Sequence, residues 1–194
     1  MQEDITKKTC PVWLGYGLNA NVRKIIHNPT KMLGKFIELG MMVADIGTGM
    51  GYMTLPMAEM VGSQGKVIAV DIQEEMLLKM NEIALHRQLS DRIDIVQSKQ
   101  ENLMLENYHE SIDFALMFMM VHEVSNKHQL FCDVEKALKP GGLLMVAEPI
   151  FHVSEKNFKE TIDIALAIGF EISEYEQHVN ICRTILLRKE NLKR

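Results

Sequence analysis

Short apolar runs of strand length alternate along the chain with longer stretches whose apolar residues recur at helical spacing. Val43-Ala44-Asp45-Ile46, Lys66-Val67-Ile68-Ala69-Val70-Asp71, Arg92-Ile93-Asp94-Ile95-Val96, residues 112–121 and Gly142-Leu143-Leu144-Met145-Val146-Ala147 read as five strands. Residues 52–61, 74–89 and 126–138 lie between them with a helical pattern. Near-continuous apolar strands separated by helices predict an α/β, doubly wound parallel sheet with helices on both faces. Right-handed crossovers follow from strand twist. Further on, residues 170–175 and 179–187 flank Glu176-Gln177-His178, which predicts a closing antiparallel hairpin.

Several predicted boundaries carry their own chemistry. Asp71 precedes a helix opened by Glu74 and Glu75, acids suited to a helix N-terminal dipole. Ser125 is placed to cap the helix that starts near Asn126, and Lys139-Pro140-Gly141-Gly142 stops that helix. Ser154 caps a further helix to Ala167, ended by Gly169. Residues 1–38 precede the sheet and form an appended helical or lid segment; residues 39–194 form the main domain. The segment Cys10-Pro11-Val12-Trp13-Leu14-Gly15-Tyr16-Gly17 is apolar and aromatic. It is expected to act as a lid with Trp13 and Tyr16 on the substrate; a helix packed on the sheet edge and a dimer contact are the alternatives.

At 194 residues the chain has the length of one domain, and 47 % hydrophobic with 24 % charged residues is globular composition. The net charge of −5 disfavours a nucleic-acid binder, which needs a basic face. Cys10, Cys132 and Cys182 are scattered, so neither a disulfide framework nor a structural metal is expected. No signal-like segment or bilayer-length apolar stretch is present in the sequence, so a cytoplasmic protein is expected. The oligomeric state is not legible. Fifteen methionines are many for this length, and most are expected to fill the core.

The strongest constellation is Val43-Ala44-Asp45-Ile46-Gly47-Thr48-Gly49-Met50-Gly51, between a strand and a helix. Glycines there let the backbone turn sharply and approach a ligand. The spacing is G-x-G-x-G rather than the G-x-G-x-x-G of dinucleotide enzymes. Asp45, just before the loop, suits a ligand carrying an ammonium group and would repel a pyrophosphate. Asp71, at the end of the next strand, is placed to accept hydrogen bonds from ribose hydroxyls.

With these residues the chain resembles the class I S-adenosylmethionine-dependent methyltransferases. The matching pieces are V-A-D-I-G-T-G-M-G-Y (43–52), V-I-A-V-D-I (67–72), I-D-F-A-L-M-F-M-M-V-H-E-V (112–124) and L-K-P-G-G-L-L-M-V-A-E-P (138–149). The resemblance runs from about Leu39 onward and implies a Rossmann-like, seven-stranded sheet, mostly parallel, whose last strand is antiparallel. It implies that Asp45 and the backbone of Gly47, Thr48, Gly49 and Gly51 hold the methionine moiety of S-adenosylmethionine. Asp71 would take the ribose and Ile72 the adenine face. Lys99 and Gln100 would lie near the adenine edge, and Met117 and Phe118 on the methionine side. One position departs from the pattern. Where many members carry an acid for the adenine amino group, this chain has Lys99, which has no acceptor. Gln100, Glu101 or a backbone carbonyl is left for that contact.

Methyl transfer from a sulfonium is an in-line displacement in which the protein mainly aligns the reactants. Residues 117–124 contain no Asn-Pro-Pro-Tyr type sequence and no Pro-Cys nucleophile, and the chain lacks a magnesium-binding pair of strand-end acids. A small-molecule methyl acceptor is therefore expected. His122 is the candidate base, with Glu123, Met120 and His152 as further candidates for contacting the acceptor. A non-catalytic sensor of the same cofactor is the alternative from another class; a nicotinamide oxidoreductase fits the loop less well.

Overall fold

The computed structural model describes residues 28–179 and 181–191. The expected lid, with Cys10, Trp13 and Tyr16, lies outside the described residues. The first described helix, α1 (Pro29–Leu33), is opened by Asn28, whose side chain accepts from the Lys31 amide. Then follow β1 (Met42–Ile46), α2 (Thr54–Val61), β2 (Lys66–Asp71), α3 (Glu74–His86) and β3 (Ile93–Gln97). The second half comprises β4 (Ile112–Phe118), α4 (Lys127–Ala137), β5 (Leu138–Pro149), α5 (Glu155–Ile168), β6 (Phe170–Val179) and β7 (Cys182–Lys189).

The seven strands form one sheet in the order β3-β2-β1-β4-β5-β7-β6. Strands β1 to β5 are mutually parallel, and β7 runs antiparallel to both of its neighbours. This is the doubly wound arrangement that the alternation of apolar runs and helices predicts.

Two cores follow from the period-2 alternation of the strands. On one face Ala44, Ile68, Val70, Ala115, Met117 and Val146 pack with residues of α4 and α5. On the other Val43, Val67, Ala69, Phe114 and Leu116 pack with α1, α2 and α3. Met32, Leu33 and Ile37 join this second core, and Phe36 stacks on Phe114 at 5.8 Å. Residues 32–37, set apart from the sheet by the sequence pattern, are thus packed against it. Alternation carries Asp45 and Asp71 to the second face and Glu148 to the first.

Five local expectations are corrected. Asn126, not Ser125, caps α4: its side-chain oxygen accepts from the Gln129 amide at 3.1 Å. Asn126→Ala is expected to cost about 1 kcal/mol, measurable as a lower urea midpoint at unchanged slope. The helix expected from residue 52 begins at Thr54, and the one expected to reach residue 89 stops at His86, ahead of Gln88 at φ 57°. Residues 139–142 lie within β5 rather than before it, with a register irregularity between Ile112 and Phe114. The hairpin turn falls after Val179, not at residues 176–178, since Glu176 pairs with Thr184 and Val179 with Cys182.

Candidate functional site

The chain order reverses between β1 and β4, and the crevice at their C-terminal ends is where open α/β sheets bind ligands. The loop after β1 is bent into that crevice by three glycines with positive φ, at 79°, 53° and 83° for Gly47, Gly49 and Gly51. The amides of Gly47 and Thr48 donate to the Val70 carbonyl at 2.8 and 3.0 Å, which ties the loop to β2. The Gly49 amide donates to Asp71 Oδ2 at 2.8 Å. A Cβ on Gly47 would lie 2.8 Å from Met120 Cγ, and one on Gly51 2.6 Å from Met80 Cγ. At Gly49 a Cβ would meet none of the described residues within 4 Å.

Asp45 is only 2 % exposed. The Thr54 hydroxyl donates to its Oδ2 at 2.6 Å, and the Thr48 and Thr54 hydroxyls are bonded to each other. Burial pushes the Asp45 carboxyl up to about 6, against the opposing pull of the two threonine hydroxyls. Asp71 is likewise raised by burial, and its Oδ1 accepts from the Gln73 amide at 2.9 Å. Each Asp71 oxygen has one of these bonds, so lone pairs remain for hydroxyl donors.

These residues fit S-adenosylmethionine. Among the described residues Gly49 has open space beside a backbone bend, Asp71 has acceptor capacity at a strand end, and Asp45 is a buried carboxyl whose charge a ligand ammonium would stabilise. Ile72, beside Asp71, is half-buried. Lys99 and Gln100 are exposed just beyond β3, where the Lys99 amide donates to the Asn102 carbonyl at 2.8 Å. Met117 is fully buried within the first core and Phe118 packs in the second.

Across the crevice, β4 is followed by Met119, a non-glycine residue at φ 57°. Such a conformation costs about 1–2 kcal/mol, and strain of this kind concentrates at functional sites. The Met119 amide is anchored on the Ala147 carbonyl at 2.7 Å. The next residue, Met120, covers Gly47. Then comes a short 3-10 turn, Val121–Glu123.

His122 sits in that turn and is bound to Glu148 at the end of β5. The Nδ1–Oε2 distance is 2.7 Å. The Glu148 carboxylate also accepts the Val121 and His122 amides, each at 3.0 Å. The bond to Glu148 is the largest cause that raises the His122 imidazole above its usual value. His152 stands edge-on to His122 at 5.9 Å, and Glu123 Oε1 is 3.9 Å from His122 Nε2. The structure therefore brings His122, Glu123 and His152 together.

Glu148 is the residue that the sequence pattern did not single out. Its signal was an acid ending a strand that is otherwise apolar from Leu143 to Ala147. Thr54, which holds Asp45, has no comparable mark beyond lying where α2 begins.

A family model described as a methyltransferase domain matches residues 37–184. The ubiquinone/menaquinone biosynthesis C-methyltransferase UbiE of Hahella chejuensis is 31 % identical over 112 residues, 58 % of this chain and 44 % of that protein. The protein of the same name in Francisella philomiragia is 31 % identical over 128 residues, 64 % of this chain and 50 % of that one. The matched part of the chain thus spans about half the length of these curated relatives or less. Among solved structures, a SAM-dependent methyltransferase from Aquifex aeolicus superposes with a TM-score of 0.82 at 23 % identity, covering 93 % of this chain and 99 % of the other. A second, described as a putative S-adenosyl-L-methionine-dependent methyltransferase from Methanococcus maripaludis, gives 0.75 at 19 % identity, covering 100 % and 99 %. At these identities the structures establish the shared fold. No helix among the described residues is long and apolar enough to cross a membrane.

Proposed function

The chain belongs to the class I S-adenosylmethionine-dependent methyltransferases, and from that membership we propose that it transfers the methyl group to a small-molecule acceptor, with His122 taking the acceptor's proton. The observation that carries the reading is the meeting of two halves at one crevice. In this reading the glycine loop with Asp71, bonded through the Gly49 amide, is the cofactor half, and the His122–Glu148 pair belongs to the acceptor half. Met120, packed against Gly47, joins them. The chain's likeness to C-methyltransferases of quinone biosynthesis supports a small organic acceptor rather than a nucleic acid. The net charge of −5 agrees with that choice.

In this reading Asp45 meets the ammonium of the methionine moiety and Asp71 the ribose hydroxyls. The glycine-loop backbone lies against the cofactor, with Ile72 on the adenine face. Bound there, S-adenosylmethionine supplies a methyl group already activated on sulfur. The protein's task is alignment and exclusion of water. His122 accepts a proton only when neutral, and its raised pKa puts that form on the alkaline side of an ordinary imidazole's midpoint.

Calorimetry with S-adenosylhomocysteine, then mass spectrometry of small-molecule extracts incubated with S-adenosylmethionine, tests this directly. Binding followed by gain of one methyl group on a small compound is expected. Absence of heat with either form of the cofactor would refute the assignment. His122→Ala should lower kcat by about 10²–10⁴-fold with S-adenosylhomocysteine affinity retained, and the wild-type rate should rise with pH.

A further inference from the structure

We propose that Glu148 is the positioning residue that fixes His122 in the tautomer bearing its proton on Nδ1, so that the Nε2 lone pair is the proton acceptor of the site. The role given to that lone pair rests on the methyl-transfer reading; the tautomer does not.

Three donors converge on one carboxylate. Glu148 is 2 % exposed, its Oε1 accepts the Val121 amide, and its Oε2 accepts both the His122 amide and the imidazole. A carboxylate accepts only. At 2.7 Å from Oε2, an Nδ1 lone pair would face oxygen lone pairs with no proton between them, so Nδ1 carries the hydrogen. The neutral ring then has its acceptor at Nε2. The two amide bonds also fix the backbone of the turn, so the ring is held from both ends.

The surroundings favour the same assignment. Glu123, in the same turn, lies 3.9 Å from Nε2, too far to hold a proton there by a hydrogen bond. It is near enough to attract the imidazolium once formed. Lys127, at the start of α4, acts in the opposite sense on His122. His152, after β5, meets the ring edge-on. On β7, Cys182 is pushed up to about 12 by burial and by Glu148, so it remains a neutral thiol.

This arrangement suits an acceptor whose nucleophilic atom carries a weakly acidic proton, such as a hydroxyl, an enol or an activated carbon. As the new bond to the methyl carbon forms, the proton on the nucleophile passes to Nε2. The carbon–sulfur bond breaks with its electron pair left on sulfur, giving a neutral thioether. The positive charge ends on His122, between Glu148 and Glu123. An acceptor that is already anionic, such as a thiolate, would need none of this.

Imidazole nitrogen NMR on the uniformly ¹⁵N-labelled full chain, without cofactor or acceptor, tests the proposal, with His122→Gln identifying the signal. In the wild type above its midpoint, His122 should show a protonated Nδ1 and an unprotonated Nε2. In Glu148→Gln the His122 midpoint should fall by about one unit or more. With an acceptor in hand, the acid limb of the kcat profile should move to lower pH by the same amount, with S-adenosylhomocysteine affinity retained. An Nε2–H tautomer in the wild type would overturn the proposal. So would an unchanged midpoint in a folded Glu148→Gln protein. Should that variant not fold, the wild-type tautomer still decides. Absence of cofactor binding would refute the methyl-transfer reading while leaving the nitrogen signals to judge Glu148.

Discussion

Asp45→Asn is expected to make the protein more stable and worse at binding its cofactor at the same time. The Asp45 carboxyl is raised from 3.8 to about 6, chiefly because the folded chain removes it from water. Between those two values the unfolded chain has lost the proton and the folded chain keeps it. Stability therefore falls as pH rises through this window and stays low above about 6. At neutral pH the penalty is on the order of 2–3 kcal/mol. Asparagine preserves an acceptor for the Thr54 hydroxyl without a charge to desolvate. The variant should show a higher Tm at pH 7 and lose the decline between pH 4 and 6.

Cofactor binding should move the other way. A charge-assisted hydrogen bond contributes about 1.5–3 kcal/mol, so affinity for S-adenosylhomocysteine should fall by about 10–100-fold. In the wild type, binding below pH 6 should release a proton, because the incoming ammonium favours the ionised carboxyl. Calorimetry in two buffers of different ionisation enthalpy measures it. A variant that binds as tightly as the wild type would remove Asp45 from the cofactor site.

The second large effect separates glycines that look equivalent in the sequence. Gly51→Ala is expected to destabilise by about 2–4 kcal/mol, from its positive φ and from a Cβ driven to within 2.6 Å of Met80 Cγ. Gly49→Ala pays only the conformational term, about 1 kcal/mol, since its Cβ would meet none of the described residues. That same open space is where the cofactor is proposed to lie. Gly49→Ala should therefore fold and lose about ten-fold or more in cofactor affinity, whereas Gly51→Ala should be lost mainly to unfolding. Urea titration and calorimetry on both variants give the comparison. Equal behaviour in both measurements would mean that Gly49 does not border the cofactor.

The parts of the proposed cofactor half stand out in the sequence because they are local. Asp45, the three glycines and Asp71 sit at the ends of two adjacent strands, and each carries a short-range chemical signature. The His122–Glu148 pair is different. The two residues are 26 positions apart, and their meeting depends on the β4–β5 register that sets Phe118 beside Ala147. Sequence showed His122 as a titratable residue near the crevice but gave no measure of that register. The misplaced hairpin turn has another cause. Residues 176–178 are polar, and polarity reads as a turn. However, β6 is the outermost strand, where a ladder on one side suffices and polar residues are tolerated. The cap was misjudged between neighbours, since serine and asparagine are comparably good and only the chain's path decides.

Strand order also dictates when each half of the crevice comes into being on the ribosome. Strands β1, β2 and β4, which frame the glycine loop, have all been synthesised by Phe118. Strand β5 pairs with β4 on one side, but on the other it waits for β7, where Glu148 lies opposite Arg183. Until the last strand emerges, the strand bearing Glu148 is an open edge on the nascent chain. The side of the crevice that bears Glu148 is thus the last to be sealed, and a chain stalled before β7 would hold a framed glycine loop beside an unpaired, aggregation-prone border.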